Sequence, residues 1–158
     1  KQESVPQILP QAEVTLRPKE DIQEEYKGYE VIARLEIPKI EVNTPVLANY
    51  SKQALYECVT KFWGGEPNQI GNFCIAGHNS KRKNMFTDLK KLEIGDTLIL
   101  SDKKIGIVDY EIYDIYKVKP ENVECLSQNT NGNIDVTLIT CTNDSAYRII
   151  VKAKAKEG

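Results

Sequence analysis

The sequence predicts a mostly β barrel with one or two helices packed against it. Short strand-like segments dominate the chain, helical periodicity is confined to a few segments, and strands and helices do not alternate regularly. The 158 residues, of which 41% are hydrophobic and 28% are charged, suit one globular domain with a sizeable core. We expect a linker or arm over residues 1–28 and the folded domain over residues 29–158.

The first part of the chain contains few strong structural signals. Residues 1–28 include three prolines and many charges, and a short helix is expected over residues 18–26 because proline fits a first helical turn. The segment IARLEIPKIEVNTPVL then predicts edge or broken strands, since Pro38 and Pro45 cannot donate to a β-ladder.

Two helices are predicted in the middle of the chain. In SKQALYECVTKFWGG, Ser51 is a good N-cap and Gly64 with Gly65 can end the helix. The apolar residues at helical spacing in this segment are Leu55, Cys58, Val59 and Phe62. A second, shorter helix is expected over residues 85–92, closed by Gly95.

The remaining regular segments are predicted as strands over residues 72–76, 97–100, 105–118, 135–141 and 147–153. Within the long strand the apolar phase changes near Ile112, which predicts a bulge or bend that helps the sheet to curl.

Composition excludes several classes of function. The net charge of -2 and the scattered 21 basic residues give no footprint for nucleic acid. No run of about 18 apolar residues and no signal peptide occur, so we expect no membrane span or export signal within this sequence. With four separated cysteines and a single histidine, zinc is improbable, and the cysteines do not reveal the redox compartment.

The segment DVTLITCTNDSAYRIIV places a cysteine at the end of one strand and an arginine at the start of the next. Because side chains alternate along a strand, Val136, Leu138 and Thr140 share one face, which we expect to be the core face. Cys141 then projects from the opposite face, as does Arg148 on the next strand. If the two strands are antiparallel neighbours, the thiol and the guanidinium lie on the same side.

His78 is the third candidate, because it follows a buried-looking strand and a flexible glycine. A thiol with a pKa near about 8.5 is a poor nucleophile at neutral pH, but neighbouring cations stabilise its thiolate. In this interpretation Cys141 is the nucleophile, His78 protonates the leaving group, and Arg148 donates hydrogen bonds to the substrate or the oxyanion.

Each residue also has an ordinary structural interpretation. A cysteine is often a small buried hydrophobe, an arginine at a strand end is usually solvated, and a histidine after glycine is often a turn residue. We expect Cys58 and Cys74 to lie in the core, while Cys125 could be either buried or exposed.

TLITC with an arginine seven positions on, preceded by GNFCIAGHN and LEIPKIEVNTPV, resembles the sortases, cysteine transpeptidases of Gram-positive cell surfaces. The resemblance implies that Cys141 is the nucleophile, His78 the acid/base and Arg148 the substrate-contacting arginine, and that Thr140 helps to bind the sorting signal. It also implies a closed eight-stranded β-barrel. We expect no cofactor and assign no residue to a metal, while any metal dependence stays open.

The expected substrate is an LPXTG-like sorting signal of a surface protein, cleaved between Thr and Gly through a thioester. The acceptor is an amine of peptidoglycan or of a pilin. The expected location is the extracellular face of the Gram-positive cell membrane, with a membrane anchor outside this sequence.

A class D or housekeeping-type enzyme fits best, since the segment 119–133 leaves little room for the helical insertion of class B. The GHN motif and the residues after it nonetheless resemble class B, and Glu121 with Glu124 make a thin case for calcium. Two alternatives remain open: a cysteine hydrolase that releases the peptide to water, and a non-enzymatic β-barrel adaptor.

Overall fold

The computed structural model describes residues 22–156, which form nine strands, one short α-helix and three single 3₁₀ turns. The strands are β1 (Glu25–Tyr26), β2 (Tyr29–Ile37), β3 (Val42–Leu47), β4 (Thr60–Trp63), β5 (Gly71–Ala76), β6 (Thr97–Asp102), β7 (Gly106–Val118), β8 (Ile134–Cys141) and β9 (Arg148–Ala155). The helix is α1 (Lys52–Glu57), and the 3₁₀ turns are Pro38–Ile40, Leu89–Lys91 and Glu124–Leu126.

Eight of the strands close into a barrel, as the sequence predicts. They follow the order β2-β3-β4-β5-β8-β9-β7-β6, and β6 pairs back with β2 through Leu35 and Leu100. The short β1 pairs with β2 outside this ring. β5 and β8 are parallel, whereas β8 and β9 are antiparallel, so the end of β5, the end of β8 and the start of β9 meet at one rim.

The barrel interior is filled by the side chains that alternate inward along these strands. Leu35, Ile75, Leu100, Tyr110 and Leu138 are fully buried there. Each such apolar side chain contributes roughly 1.5–3 kcal/mol on burial, so the barrel wall is a rigid support for groups on its outer surface.

The first predicted helix is correct in its beginning and wrong in its second half. Ser51 caps α1, its Oγ accepting a hydrogen bond from the backbone N–H of Ala54 at 3.0 Å. The helix ends at Glu57, and Cys58 is already extended. The chain then forms β4, because Thr60 pairs with Leu47 on one side and Ala76 on the other. Strand pairing therefore overrides the helical spacing of the apolar residues.

The second predicted helix is wrong. Residues 85–92 contain only the 3₁₀ turn Leu89–Lys91, although Met85, Phe86 and Leu89 are buried. These side chains anchor an irregular loop, in which the N–H of Phe86 donates to the carbonyl of His78 at 2.8 Å.

The expected helix over residues 18–26 lies partly outside the described residues. Within residues 22–26 the backbone is not helical, and Glu25–Tyr26 forms β1 instead. Ile22 is buried against the barrel core. The domain boundary at residue 29 stays a prediction.

The predicted strands are present, with ends that differ by a few residues. The predicted irregularity of the long strand is also present, as a register shift between Ile112 and Asp114 where β7 pairs with β9. Pro38 opens a 3₁₀ turn between β2 and β3, and Pro45 lies within β3 opposite Arg34. None of the helices in the described part of the chain has the length and hydrophobicity required to cross a bilayer.

Candidate active site

The candidate site lies on the outer surface of the barrel where β5, β8 and β9 are adjacent. The inward side chains of these strands belong to the core, so the alternate side chains point away from the barrel interior. The inward set is Phe73 and Ile75 on β5, Val136 and Leu138 on β8, and Ile149, Val151 and Ala153 on β9. We call the surface formed by the alternate residues the outer face.

Cross-strand pairing arranges the outer face in rows. Continuous register places Cys74, Thr137 and Lys152 in one row and Ala76, Ile139 and Ile150 in the next. The third row, at the rim, begins with the pair Cys141 and Arg148. Adjacent rows are two residues apart along each strand, which corresponds to about 7 Å.

Cys141 and Arg148 are directly opposite each other, as the sequence predicts. They are the last residue of β8 and the first of β9, and they are paired in the antiparallel ladder. Directly opposite residues have Cβ atoms about 5 Å apart, so the thiol and the guanidinium lie within interaction range. Both residues are partly exposed.

His78 reaches the same rim from β5. Ala76 is level with Ile139, and the N–H of Gly77 donates to the carbonyl of Ile139 at 3.0 Å, so pairing with β8 continues past the end of β5. His78 follows directly, and its neighbour Asn79 donates to the carbonyl of Cys141 at 3.0 Å, so the backbone of His78 lies close to the end of β8. Gly77 is needed here because a Cβ would lie 2.7 Å from the side chains of Phe86 and Val59. His78 itself is exposed.

Asn79 connects the loop that carries His78 to the end of β8, a role that the sequence did not reveal. Its Nδ2 donates to the carbonyl of Cys141 at 3.0 Å and to Oδ1 of Asn143 at 2.8 Å. The hydroxyl of Thr87 donates to its Oδ1 at 3.4 Å. The adjacency of Asn79 to His78 was the available signal, but the partner lies 62 residues away in sequence.

A tight turn over residues 142–147 connects Cys141 to Arg148. The N–H of Thr142 donates to the carbonyl of Tyr147 at 2.9 Å. Oδ1 of Asp144 accepts hydrogen bonds from the hydroxyl of Thr142 at 2.6 Å and from the N–H of Ala146 at 3.0 Å. These two bonds lower the pKa of Asp144 below its ordinary value. The turn is therefore held by its own side chains.

Arg148 has a donor that nothing in the described part of the chain satisfies. Its Nη1 is buried and has no hydrogen-bond partner among residues 22–156. Leaving a buried charged donor unpaired is costly, so this nitrogen distinguishes Arg148 from an ordinary solvated arginine.

Among the cysteines, only Cys141 is accessible. All four lie within the described residues and are free, and Cys58, Cys74 and Cys125 are buried. Burial raises the pKa of each of these three thiols, for Cys74 to about 12, so they stay protonated near neutral pH. Cys58 is a core residue, as expected, and the open question about Cys125 is answered by its burial.

Thr140 lies in the barrel wall. It belongs to the inward-facing set of β8, is 3% exposed, and its Oγ1 has no hydrogen-bond partner among the described residues. Its participation in substrate binding stays a prediction.

Metal ligation finds no support in this region. Residues 22–156 contain no group of three or more His, Cys, Asp or Glu side chains that could hold an ion. Glu121 and Glu124 are both exposed and do not form such a group.

The comparisons with known proteins agree with this arrangement. A family model described as a sortase domain matches residues 35–156, well over half of the chain. The chain belongs to the sortase family. Among curated sortases, it is 32% identical over 134 residues to Sortase A of Streptococcus agalactiae, covering 80% of this chain and 53% of that protein.

Two further sortases extend the comparison. Sortase A of Bacillus anthracis is 29% identical over 125 residues, covering 77% of this chain and 58% of that protein. The chain thus spans between half and three fifths of these two curated relatives. The solved structure of a Clostridium perfringens Sortase D5 transpeptidase is 33% identical, with a TM-score of 0.73, and covers 87% of this chain and 86% of that one.

Proposed function

We propose that this sortase domain is a cysteine transpeptidase that cleaves an LPXTG-like sorting signal between Thr and Gly and transfers the acyl part to an amine. The observation that carries the proposal is the rim itself. The only unburied thiol lies opposite Arg148 in the strand ladder, and the loop that carries His78 is hydrogen-bonded through Asn79 to the carbonyl of Cys141.

The first half of the reaction uses all three rim residues. The Cys141 thiolate attacks the carbonyl carbon of the signal's threonine, and the carbonyl oxygen becomes an oxyanion to which Arg148 donates. His78 protonates the nitrogen of the departing glycine, the C–N bond breaks, and the acyl group remains on sulfur as a thioester.

The second half reverses the roles. An amine attacks the thioester carbonyl, His78 accepts the proton from the attacking nitrogen, and the C–S bond breaks to release the thiolate and the new amide. Atoms and charges balance without a cofactor. Because thiolate and protonated histidine must coexist, we expect modest turnover and a bell-shaped pH profile.

The outer face beside the rim suits an extended apolar peptide. Ala76 and Ile139 are partly exposed in the row next to Cys141, and the segment 119–133 begins just after Val118, which pairs with Arg148. These residues offer an apolar floor for the Leu-Pro end of the signal. We assign Thr140 an indirect role in substrate binding: its buried side chain fixes the backbone next to Cys141.

The experiment that tests the proposal separates transfer from hydrolysis. The domain is incubated with an LPXTG-type peptide, with and without a glycine or diaminopimelate-type amine, and the products are weighed by mass spectrometry. A transpeptidase yields a ligated product in the presence of the amine. Cleavage without any ligation supports the cysteine hydrolase instead.

A non-enzymatic adaptor is tested by thiol reactivity. A charged alkylating reagent should label Cys141 selectively, and labelling should slow in His78→Ala and Arg148→Ala, because both substitutions remove a group that stabilises the thiolate. Equal labelling rates in all three proteins would favour the adaptor.

The finer assignments follow from the family. The matches to Sortase A proteins support action at the Gram-positive cell surface. We further propose the extracellular face of the membrane as the location, with an anchor outside this sequence. Similarity to the Sortase D5 transpeptidase supports class D. The partners are then a surface-protein sorting signal and an amine of peptidoglycan or of a pilin, without nucleic acid.

A further inference from the structure

The loop between β7 and β8, residues 119–133, is attached to the outer face by side chains of the barrel wall. Nδ2 of Asn72 donates to the carbonyls of Cys125 at 2.8 Å and Ser127 at 3.1 Å. The side chain of Gln128 binds the backbone of Asn72 in turn. Its Nε2 donates to the carbonyl of Asn72 at 2.8 Å, and its Oε1 accepts from the N–H of Asn72 at 2.9 Å. Four hydrogen bonds thus join β5 to the middle of the loop.

Lys152 adds a charged donor from β9. Its Nζ donates to the carbonyl of Cys125 at 3.0 Å and to Oγ1 of Thr137 at 2.9 Å. The hydroxyl of Thr137 donates in turn to Oδ1 of Asn72 at 2.7 Å. Lys152, Thr137 and Asn72 therefore form one directional chain across three strands, which we call the clamp.

Two of the three clamp residues are shielded from water, whereas Lys152 is partly exposed. Asn72 is 1% exposed and Thr137 is fully buried. Hydrogen bonds in such an environment meet little competition from solvent, and one that involves a charged ammonium is among the stronger kinds. The carbonyl of Cys125 accepts two donors, so it is the most firmly held point of the loop.

A glycine at position 64 leaves space for the hydrogen bonds between Asn72 and Gln128. Gly64 lies beside them at a φ of 99°, and a Cβ there would stand 2.2 Å from the carbonyl oxygen of Asn72 and 3.1 Å from Nε2 of Gln128. A side chain at position 64 would therefore displace the backbone that Gln128 binds.

Register relates the clamp to the catalytic rim. Lys152 is four residues beyond Arg148 on β9, a separation of about 13 Å. The loop begins just after Val118, which pairs with Arg148. One end of the loop is therefore fixed beside the rim and its middle is fixed by the clamp. Between them lies Ile150, which is 1% exposed although it belongs to the outer face.

The geometry points to a function for this attachment: the clamp holds the β7–β8 loop in place before substrate binds, and Lys152 is a positioning residue that sets peptide specificity. The specificity part rests on the proposed transpeptidase function. A β7–β8 loop that is already ordered loses no conformational freedom when the peptide binds. Such a loop can discriminate among the side chains of different peptides. Lys152 touches no reacting atom, so its effect is on binding.

The test compares Lys152→Met with the unaltered domain and with Lys154→Met. Lys154 is on the same strand and face, but it is exposed and its Nζ lies over the ring of Tyr113. For Lys152→Met we expect the peptide KM to rise roughly tenfold with kcat within about twofold, the loss of one charged hydrogen-bonding group. Lys154→Met should leave both unchanged, and Lys152→Arg should restore much of the affinity.

A second measurement does not need activity. Hydrogen exchange of the amides over residues 123–128 should accelerate in Lys152→Met, and also in Gln128→Ala, which alters only an exposed side chain. Preference for Leu over Ala at the first motif position should fall in the same variants. Thermal melting identifies a variant that fails to fold. If Lys152→Met does not fold, hydrogen exchange over residues 123–128 is compared between Gln128→Ala and the unaltered domain.

Two results would overturn the inference: unchanged exchange over residues 123–128 in both variants, or a loss of kcat with KM unchanged. Failure of the proposed function is seen separately. In that case the unaltered domain turns over no peptide, while the exchange measurement still reports whether the clamp holds the loop.

Discussion

Cys74 and Cys141 occupy similar positions in the barrel wall but differ in their exposure to solvent. Both are on the outer face of the parallel strands β5 and β8, and both have a basic residue nearby, Lys152 for Cys74 and Arg148 for Cys141. Cys74 is fully buried, whereas Cys141 is open at the rim. Burial raises the pKa of Cys74 to about 12 even though Lys152 acts in the opposite direction.

The difference teaches that a neighbouring cation is not sufficient to make a reactive thiol. The cost of removing a thiolate from water outweighs the attraction of a cation when the sulfur is buried. In this protein the strands place both thiols on one surface, and the β7–β8 loop covers the region of Lys152 while leaving Cys141 open.

The largest expected effect comes from removing each thiol in turn. Cys141→Ala should lower peptide turnover at least about 10³-fold, because the other three cysteines, all among the described residues, are buried. Cys74→Ala should keep turnover within about twofold and instead reduce stability by about 1 kcal/mol. Turnover by mass spectrometry and melting by circular dichroism measure the two effects.

The comparison between the two thiols fails if Cys74→Ala loses as much turnover as Cys141→Ala while its melting temperature is unchanged. It also fails if Cys141→Ala retains turnover.

A smaller effect is expected at Asn79, which sharpens what makes the rim different. Asn79→Ala removes the hydrogen bond to the carbonyl of Cys141, so the loop that carries His78 is less firmly placed. We expect kcat to fall about tenfold with KM nearly unchanged. Asn143→Ala is the matched control, because it removes only the second partner of Nδ2.

If KM changes together with kcat and the melting temperature falls, the role of Asn79 is structural only. Equal losses in Asn79→Ala and Asn143→Ala would show that the bond to Cys141 is not the important one.

The smallest effect concerns the turn that presents Cys141 and Arg148. The hydrogen bonds from Thr142 and Ala146 lower the pKa of Asp144 from its ordinary value of 3.8. Because the folded pKa is depressed, the carboxylate stabilises the turn above pH 3.8, and this contribution is lost as the pH falls through the folded pKa. The Ala146 amide should shift in NMR spectra over that acidic range.

Asp144→Ala should remove this acid transition of the Ala146 amide and leave neutral-pH turnover nearly unchanged. An Asp144 carboxyl carbon that titrates at or above 3.8 would contradict the assignment.

Much of the site was predictable because it depends on adjacent strands. A strand, a short turn and a second strand place Cys141 opposite Arg148 whatever the rest of the barrel does, since alternation and antiparallel pairing are local rules. His78 was a candidate because it follows a strand and a glycine, and the resemblance to the sortases gave it a role; the parallel pairing of β5 and β8 brings its loop to the same rim as Cys141. That pairing joins residues about 60 positions apart.

The errors also have a physical origin. Residues 59–63 have helical spacing of apolar side chains, but the hydrogen bonds available from Leu47 and Ala76 favour a strand. Residues 85–92 bury Met85 and Phe86 without a helix, because single apolar anchors in a loop produce the same spacing over so short a segment.

The amino-acid pattern by itself determined a β-rich domain, its main strands, the outward direction of Cys141 and Arg148, and the chemistry those groups can perform. Only the tertiary structure decided which thiol is open, how Asn79 links the loop that carries His78 to Cys141, and how Lys152 hydrogen-bonds to the β7–β8 loop. Alternation and propensity act over a few residues, whereas burial and cross-barrel hydrogen bonds depend on which distant segments meet.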